Sequence, residues 1–376
     1  MILTKDITSR KAISLGVSGD GFLWGNPSII QCDSGYICLV KGINYDREKI
    51  YYSGDWQAIN TTEQIQSKYA LLTLDRDLHI TSSSNLDTSS ITTDAGCAIN
   101  VEDLRLFWLD KRLMVMGSVL KWMFVSCGAR WVIKHDTWRV FIAEIDSNAL
   151  TNPHTLESPT GAQFERNWIP CVRSATTFSL ITNVNTGARL EVIADHGQIR
   201  TSIVGSYGSF AWKDGWSGST CLVPYLDGYI SIVHRRTASP PYVYRHMLLM
   251  FDSELRIKKR SDAFSFNELP VEFCCGLVVD QQGNSAIIAY SEFDKSQVII
   301  ELPLSDLTNL LIFPVDDCNP ISHVKVDQNV PHTEAVRLIR GHAATIWKVL
   351  DELTIAHEKI HDLSIQTLEG GKIRRW

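Results

Sequence analysis

Short apolar runs separated by turn-forming residues recur along most of this chain. One pair of runs is Ile29–Cys32 and Tyr36–Val40, and a later pair is Gly276–Val279 and Ala286–Tyr290. Apolar runs of this length joined by Asp- and Gly-rich turns are typical of β-hairpins. Such pairs continue from about residue 20 to about residue 305, at spacings too irregular for an array of identical repeats.

Helical periodicity is confined to the C-terminal part of the chain. Apolar residues recur at helix spacing from Val336 to Leu353, after a start signal at Thr333 and before the stop signal Gly370-Gly371. The chain is therefore predicted to be all-β with a C-terminal α-helical segment. Many short strands without alternating helices leave a sandwich or a propeller, and roughly 280 residues of meander favour five blades of four strands.

We predict a five-bladed β-propeller catalytic domain over residues 1–315, followed by a linker and helical appendage over residues 316–376. The predicted helix serves either as a lid on the propeller or as a self-association element that makes a homo-oligomer.

One strand-like run carries charged residues among its apolar ones. Asn100–Trp108 contains Glu102, Asp103 and Arg105, and a second apolar run, Leu113–Met116, follows a charged turn. Charges inside a run that favours burial are costly unless they are paired or used for function. This hairpin is therefore where we look first for chemistry.

The composition excludes several classes of function. The 376 residues are 44% hydrophobic and 21% charged, as in an ordinary soluble protein. A formal net charge of −6 does not favour nucleic acid or an anionic membrane as the main partner. No apolar run is long enough to predict a membrane span, and the N-terminus lacks the organisation of a secretion signal.

The nine cysteines are scattered singly apart from Cys274-Cys275, and none has CxxC or zinc-ligand spacing. This pattern fits reduced thiols in the cytosol. We therefore expect a cytoplasmic protein with no metal and no other cofactor.

Polar and aromatic residues recur at the predicted strand ends, about one group for each presumed blade. An aromatic ring can stack on the face of a sugar while polar groups bind its hydroxyls, so the series suits carbohydrate. The candidates are Asn26, Asn44, Glu102, Asp103, Arg105, Arg166, Asn167, Trp168, Trp216, Ser219, His234, Tyr244, His246, Glu272, Tyr290 and Asp294.

In order along the chain, these elements resemble the five-bladed propeller enzymes of the β-mannoside phosphorylase family (glycoside hydrolase family 130) and related propeller mannosyltransferases. The Glu-Asp-Pro-Arg signature is similar to Glu102–Arg105, with leucine in place of proline. A strand ending in His, followed by a Tyr-rich strand, is similar to Ile232–His234 and Tyr242–Tyr244. Glu272–Gly276 resembles the "Glu, aromatic, two residues, Gly" element. Tyr290–Asp294 resembles the closing Tyr-Gly-x-x-Asp, with serine in place of glycine.

A variant of the family with Glu-Lys-Asn-Trp and Gly-Gly-Ser elements is closer still. The similar residues here are Glu165–Trp168, with arginine in place of lysine, and Trp216–Ser219. The resemblance covers roughly residues 20–305.

The resemblance implies transfer of a glycosyl unit, β-mannosyl or a similar hexosyl, to phosphate or a sugar acceptor with inversion. It implies Asp103 as the general acid, in some members acting through a substrate hydroxyl, and Arg166 and His234 as phosphate ligands. The other candidates would orient donor and acceptor. The donor would be a sugar phosphate, a nucleotide sugar or an oligosaccharide.

Two other functions stay open. A glycoside hydrolase of the same fold would turn over its substrate without phosphate or an acceptor sugar, and would need a second carboxylate to activate water. A non-catalytic propeller would bind glycans or protein partners without turnover.

A purely structural role is also open for several candidates. Asp103 with Arg105 could form an ion pair at a blade edge, and regular strand geometry places both on one face. A cation there favours the ionised carboxylate, whereas a general acid must hold a proton. The corresponding structural roles are a core histidine for His234, core aromatics for Trp168 and Trp216, packing for Tyr244 and His246, and a turn cap for Asp294.

Overall fold

The computed structural model describes residues 3, 11–15, 21–53, 67–92, 98–127, 130–159, 165–195, 198–206, 215–267 and 269–315. The chain divides into two compact units, one formed by Met1–Glu157 with Gln163–Ser322 and the other by Ser158–Ala162 with His323–Trp376. Of the second unit only Ser158 and Pro159 are described. The predicted C-terminal helix therefore lies outside the described residues, and its role stays a prediction.

The described strands form five antiparallel sheets, and these are the blades of a five-bladed β-propeller, as the hydrophobic pattern predicts. Blade 1 contains β2 (Leu23–Cys32), β3 (Gly35–Ile43), β4 (Ser67–Leu74) and β5 (Ile80–Leu86). Blade 2 contains β6 (Ala98–Leu109), β7 (Arg112–Cys127), β8 (Arg130–Asp146) and β9 (Ala149–Thr155). Blade 3 contains β10 (Ile169–Val172), β11 (Thr177–Asn183), β12 (Ala188–Asp195) and β13 (Gln198–Ser206).

Blades 4 and 5 depart from the simple four-strand meander. Blade 4 contains β14 (Ser217–Gly218), β15 (Val223–Tyr225), β16 (Gly228–Arg236), β17 (Tyr244–Phe251), β18 (Ile257–Arg260) and β22 (Phe313–Pro314). Blade 5 contains β19 (Glu272–Asp280), β20 (Ser285–Glu292), β21 (Ser296–Pro303) and β1 (Lys11–Ser14). Strand β1 pairs antiparallel with β21, so the last blade combines strands from both ends of the described chain.

Five hydrophobic clusters lie between successive blades and hold the ring together. Each cluster combines buried side chains from two neighbouring sheets. The fifth cluster joins blade 5 back to blade 1. One pair from each interface, in order around the ring, is Leu39 with Leu104, Phe107 with Phe178, Ile169 with Val233, Ile230 with Leu277, and Ile287 with Val40.

The described helices are short. They are α1 (Glu48–Ser53), α2 (Ser89–Thr92) and α3 (Leu304–Asn309). None of these helices has the length and apolarity needed to cross a membrane. The charged hairpin predicted from the sequence is present as β6 and β7. Its turn residues Asp110 and Lys111 have φ values of 47° and 62°, which is the geometry that a two-residue type I′ hairpin requires.

The junction between blades 1 and 5 leaves no room for a side chain at Gly25. A Cβ atom there would lie 2.7 Å from the carbonyl carbon of Asp294, and main chain cannot move aside as a flexible side chain can. We expect Gly25→Ala to lower the free energy of unfolding by about 1–3 kcal/mol, the usual cost of overpacking, as measured by urea denaturation.

Gly283→Ala is the matched control, because the three atoms nearest to a Cβ atom there all belong to the side chain of Asp280 and none to the main chain. Equal destabilisation by the two substitutions would contradict this account of the junction.

Candidate active site

Four acidic or amide residues share a left-handed backbone conformation. The φ values are 48° at Asn26, 52° at Asp103, 60° at Asn167 and 55° at Asp294. Asn and Asp adopt this region more readily than other residues that carry a Cβ atom. All four residues line one cavity. The left-handed conformation therefore occurs at four positions around the ring where a polar side chain faces this cavity.

A β-bulge in β6 positions Asp103. Glu102 pairs with Ser118 and Arg105 pairs with Met116, so Asp103 and Leu104 lie opposite the single residue Gly117. A bulge of this kind bends the strand and redirects a side chain. A Cβ atom at Gly117 would lie 2.5 Å from Leu104 Cδ2, so glycine there makes room for the extra residue.

The bulge corrects the expectation of an unbroken two-residue period at this point. Asp103 lines the cavity, whereas Arg105 is 1% exposed and lies beneath its surface. The Arg105 guanidinium donates to the side-chain oxygen of Asn167 at 3.0 Å and to the carbonyl oxygens of Gly218, at 3.2 Å, and Ser219. These partners are neutral oxygens.

The cavity has a volume of about 620 Å³ and is lined by residues of blades 1, 2, 4 and 5 and by Arg166 and Asn167, which lie just before blade 3. Carboxylates, amides, arginines and aromatic rings share its surface. The predicted candidates that line it are Asn26, Glu102, Asp103, Arg166, Asn167, His234, Tyr244 and Asp294.

The Asp103 carboxylate is half-buried and accepts one hydrogen bond, from the amide nitrogen of Asn26 at 3.3 Å. Across the described ranges, no ion pair joins it to a lysine or arginine. Asp103 therefore differs from the other two carboxylates of the cavity, which are both paired with cations.

Glu102 is the first of these paired carboxylates. It forms a buried ion pair with Lys41, accepts a hydrogen bond from the Asn100 amide at 2.5 Å, and lies 3.7 Å from the Arg47 guanidinium. Burial lowers the pKa of Lys41, but the attraction of Glu102, together with smaller contributions from Asp103 and Tyr45, outweighs it, so the net pKa is raised and the ammonium stays charged. Lys41 was not among the sequence candidates. Its position inside the apolar run of β3 could have identified it as a buried, paired charge.

Asp294 is the second paired carboxylate. Its Oδ2 atom accepts a hydrogen bond from Arg47 Nη1 at 3.0 Å and another from the Tyr51 hydroxyl at 2.6 Å. Burial and the adjacent Asp294 hold the pKa of Tyr51 well above its usual range, so this hydroxyl remains a donor. Arg47 and Tyr51 come from the connection between β3 and β4, which includes α1. They were not among the sequence candidates, because a loop has no hydrophobic periodicity against which a functional residue would stand out.

His234 lies in an aromatic wall of the cavity. Its Nδ1 atom is 2.7 Å from the Ser219 hydroxyl, and its ring stacks on Tyr244 at 6.0 Å and meets the edge of Phe273 at 4.9 Å. Burial lowers the pKa of His234 well below its usual range, and the neighbouring His246 and arginines add to that shift. The imidazole is therefore neutral, with one donor and one acceptor nitrogen.

Three arginines line another part of the cavity, and each lies over an aromatic ring. The distances from guanidinium carbon to ring centre are 5.2 Å for Arg166 over Trp138, 5.1 Å for Arg235 over Trp216 and 4.1 Å for Arg236 over Tyr242. Cation–π contacts of this kind hold a charged group in place without neutralising it. We call Arg166, Arg235 and Arg236 the arginine rim. Of its members, only Arg166 was a sequence candidate.

The remaining predicted candidates lie outside the cavity lining, as far as the described residues go. Trp168 and Trp216 belong to the hydrophobic clusters between blades 2 and 3 and between blades 3 and 4. Tyr290 stacks on Phe266 at 4.2 Å. Asn44 is half-buried. Arg105 and Ser219 lie directly behind lining residues, through their bonds to Asn167 and His234.

Glu272 is also outside the lining and is fully buried. It accepts main-chain hydrogen bonds from Phe266 and Asn267, each at 2.6 Å, and from Leu269 at 3.3 Å. Burial raises the pKa of Glu272 to about 7 against the opposing effect of these three donors. In the described structure its contacts are to the loop that precedes β19.

One group of ligand-type side chains lies close together among the described residues, on the turn between β4 and β5. It consists of Asp75, Asp77 and His79. Asp75 Oδ1 accepts the His79 N–H at 2.8 Å, which is a common way for aspartate to stabilise a turn.

The fold and the site together define a five-bladed β-propeller with a polar, aromatic-lined cavity. No sequence-family model and no curated protein sequence matches this chain.

Three solved structures with a similar fold are the following. A β-1,2-mannobiose phosphorylase from Listeria innocua is 13% identical, with 79% of this chain and 95% of that chain covered and a TM-score of 0.48. A mannose phosphorylase from Leishmania mexicana, in complex with phosphate ion, is 10% identical, with 83% and 93% covered and a TM-score of 0.45. A GDP-Man-dependent mannosyltransferase from Leishmania mexicana is 12% identical, with 78% and 90% covered and a TM-score of 0.44. At such identities the likeness is one of fold alone.

His246 makes the stability of the protein depend on pH. It is 0% exposed, packs against Phe264 and Phe266, and neither ring nitrogen has a hydrogen-bond partner among the described residues. Burial, with a smaller contribution from Arg245, lowers its pKa from 6.5 to about 3. Between these values the unfolded chain binds a proton that the folded chain does not, so stability present above pH 6.5 is lost as the pH falls.

The free energy of unfolding should fall as the pH is lowered from about 7.5 to about 5.5. We expect this fall to be about 1.4 kcal/mol smaller in His246→Leu than in the wild-type protein. Urea denaturation at both pH values measures this difference. His79→Gln, at an exposed histidine, is the control and should leave the fall unchanged. If His246→Leu also leaves it unchanged, the histidine is not buried in its neutral form.

Proposed function

We propose that this protein is a carbohydrate-active enzyme that transfers a glycosyl unit, β-mannosyl or a similar hexosyl, to phosphate or a sugar acceptor with inversion. The observation that carries the proposal is the contrast among the three carboxylates of one cavity. Glu102 and Asp294 are paired with cations, whereas Asp103 has a single amide contact among the described residues.

The cavity wall suits a sugar ring. Tyr244 and Phe273 offer aromatic surface beside the neutral His234, and aromatic rings pack against the C–H face of a sugar. The carboxylate of Asp294 and the amide of Asn167 supply acceptors and donors for hydroxyl groups. A few convergent polar groups among aromatic ones are typical of small-molecule sites.

Asp103 is the residue that we assign as general acid. A proton donor has to bind its proton in the resting enzyme, and an adjacent cation would oppose this. The Arg105 charge is instead held beneath the cavity by neutral oxygens. Asp103 would protonate the leaving oxygen directly or through a substrate hydroxyl.

The nucleophile in this proposal is phosphate or an acceptor hydroxyl. An inverting hydrolase needs a second carboxylate that acts as a base on water. Glu102 and Asp294 are already engaged in ion pairs with Lys41 and Arg47. The arginine rim beside His234 supplies the charged donors that bind phosphate oxygens well. These features favour the phosphorylase or transferase over the hydrolase.

A donor screen tests the activity. Sugar 1-phosphates, nucleotide sugars and β-mannosides are each incubated with the protein, with and without inorganic phosphate and acceptor sugars, and product release is measured. Turnover that needs neither phosphate nor acceptor would assign a hydrolase instead. Sugar binding without turnover of any donor would assign a non-catalytic propeller.

Asp103→Asn should lower kcat by about 10²–10⁴-fold, the usual contribution of a general acid, with substrate still bound. Asparagine tolerates the left-handed backbone at this position, so the variant should fold. Asp110→Asn is the matched control, since it makes the same change at another left-handed aspartate of the same hairpin. Unchanged turnover in Asp103→Asn would refute the assignment.

The arginine rim should determine affinity for phosphate. We expect Arg166→Gln and Arg236→Gln each to raise the dissociation constant of inorganic phosphate about tenfold or more, the loss of one charge-assisted interaction. Isothermal titration calorimetry measures the constant directly. Arg256→Gln, at an exposed ion pair with Asp252, is the control. Equal affinity in all three variants would exclude the rim as the phosphate site.

A further inference from the structure

A chain of two hydrogen bonds leads from blade 5 to Asp103. The Ser291 hydroxyl donates to the Asn26 side-chain oxygen at 2.6 Å, and the Asn26 side-chain nitrogen donates to Asp103 Oδ1 at 3.3 Å. Ser291 is 0% exposed and Asn26 is 6% exposed. The chain crosses the two junctions that flank blade 1.

Ser291 is held rigidly. Its main chain lies in β20, in the middle of blade 5, between Phe273 of β19 and Gln297 of β21. The two flanking strands therefore hold the Ser291 main chain in place, and its hydroxyl is hydrogen-bonded to the Asn26 side-chain oxygen. Tyr290–Asp294 resembles the Tyr-Gly-x-x-Asp element, in which glycine stands where this chain has Ser291. Glycine has no hydroxyl, so this hydrogen bond depends on the serine.

The partner of the amide oxygen determines which way the Asn26 amide faces. An asparagine amide is nearly symmetric in shape, and only its hydrogen-bond partners distinguish its oxygen from its nitrogen. Asp103 Oδ1 accepts a hydrogen bond from the Asn26 side-chain nitrogen. A carboxyl oxygen can accept this bond whether the group is ionised or carries its proton on the other oxygen, so the amide turns its nitrogen to Asp103. Its oxygen then needs a donor on the other side, because a buried acceptor without one is costly. The Ser291 hydroxyl is that donor.

We propose that Ser291 is a positioning residue that acts on Asp103 through Asn26. Its hydroxyl fixes the orientation of the Asn26 amide, and the amide in turn fixes the Asp103 carboxylate in the cavity. A catalytic role for these two hydrogen bonds rests on the proposed function, in which Asp103 is the general acid. The existence of the hydrogen bonds does not depend on that function, so the two can be tested separately.

The direct test follows the side-chain NH₂ protons of Asn26 by ¹⁵N–¹H NMR on the full chain. Asn26→Asp, which keeps the size and the left-handed preference, assigns the signals by their loss. In the wild-type protein we expect these signals to shift with pH and to exchange slowly with water. The pH dependence should vanish in Asp103→Asn.

Ser291→Ala should speed exchange of the Asn26 NH₂ protons with water by about tenfold, the effect of losing roughly 1.4 kcal/mol of protection, and should change their pH dependence. Ser291→Gly, the residue of the resembled element, should do the same and serves if the alanine variant does not fold. Ser231→Ala removes another fully buried hydroxyl in blade 4 and should leave both properties unchanged. A purely structural role for Ser291 would lower thermal stability without altering the Asn26 signals, and that result would overturn the proposal.

Activity supplies the second measurement. On a donor that the wild-type protein turns over, Ser291→Ala should lower kcat and shift the pH–rate profile, with KM nearly unchanged. An identical pH–rate profile would contradict the proposal. If the wild-type protein turns over no donor, the proposed function fails, whereas the NMR experiment still decides whether Ser291 orients Asn26.

Discussion

The buried guanidinium of Arg105 is the interaction on which the centre of this propeller depends. It comes from β6 of blade 2 and donates to Asn167 before blade 3 and to the main chain of Gly218 and Ser219 in blade 4. Glu102, three residues earlier in the same strand, is paired with Lys41 of blade 1. The hydrophobic clusters join only neighbouring sheets. The hydrogen bonds of Arg105 also join blades that are not neighbours. Removing either member of the Glu102–Lys41 ion pair would leave a buried charge without its partner, at a cost of about 3–5 kcal/mol.

These polar contacts separate the charges of the cavity into two kinds. Lys41 of β3 pairs with Glu102, and Arg47, from the connection between β3 and β4, pairs with Asp294. The guanidinium of Arg105 donates to carbonyl and amide oxygens. Asp103 has no cation partner of this kind among the described residues, and the arginines of the rim lie over aromatic rings. In the proposed function, this separation lets one cavity hold a proton donor and an anion site, although charges of both signs lie close together.

Several features of the site could be predicted from the sequence because they leave a local mark. Charged residues stand out in an apolar run, as at Glu102–Arg105, and Asn or Asp at a strand end marks a backbone that other residues avoid. Lys41 left such a mark in β3. Arg47 and Tyr51 left none, because a connecting loop has no period against which they could be recognised. Trp168, Trp216 and Glu272 were candidates from the sequence but lie outside the cavity lining. Aromatic and acidic residues next to strands look the same in sequence whether they face a cavity or fill the space between blades.

The sequence by itself determined the all-β class and the hairpins, because apolar alternation and turn residues are properties of neighbouring positions, and the length of the meander favoured five blades. It did not determine which side chains meet, since that depends on how the sheets are arranged around the ring. The bulge at Asp103 needs Gly117 on the adjacent strand, and Ser291 reaches Asn26 only because the last blade packs against the first. Contacts between residues more than two hundred positions apart follow from closure of the ring, and no local pattern encodes them.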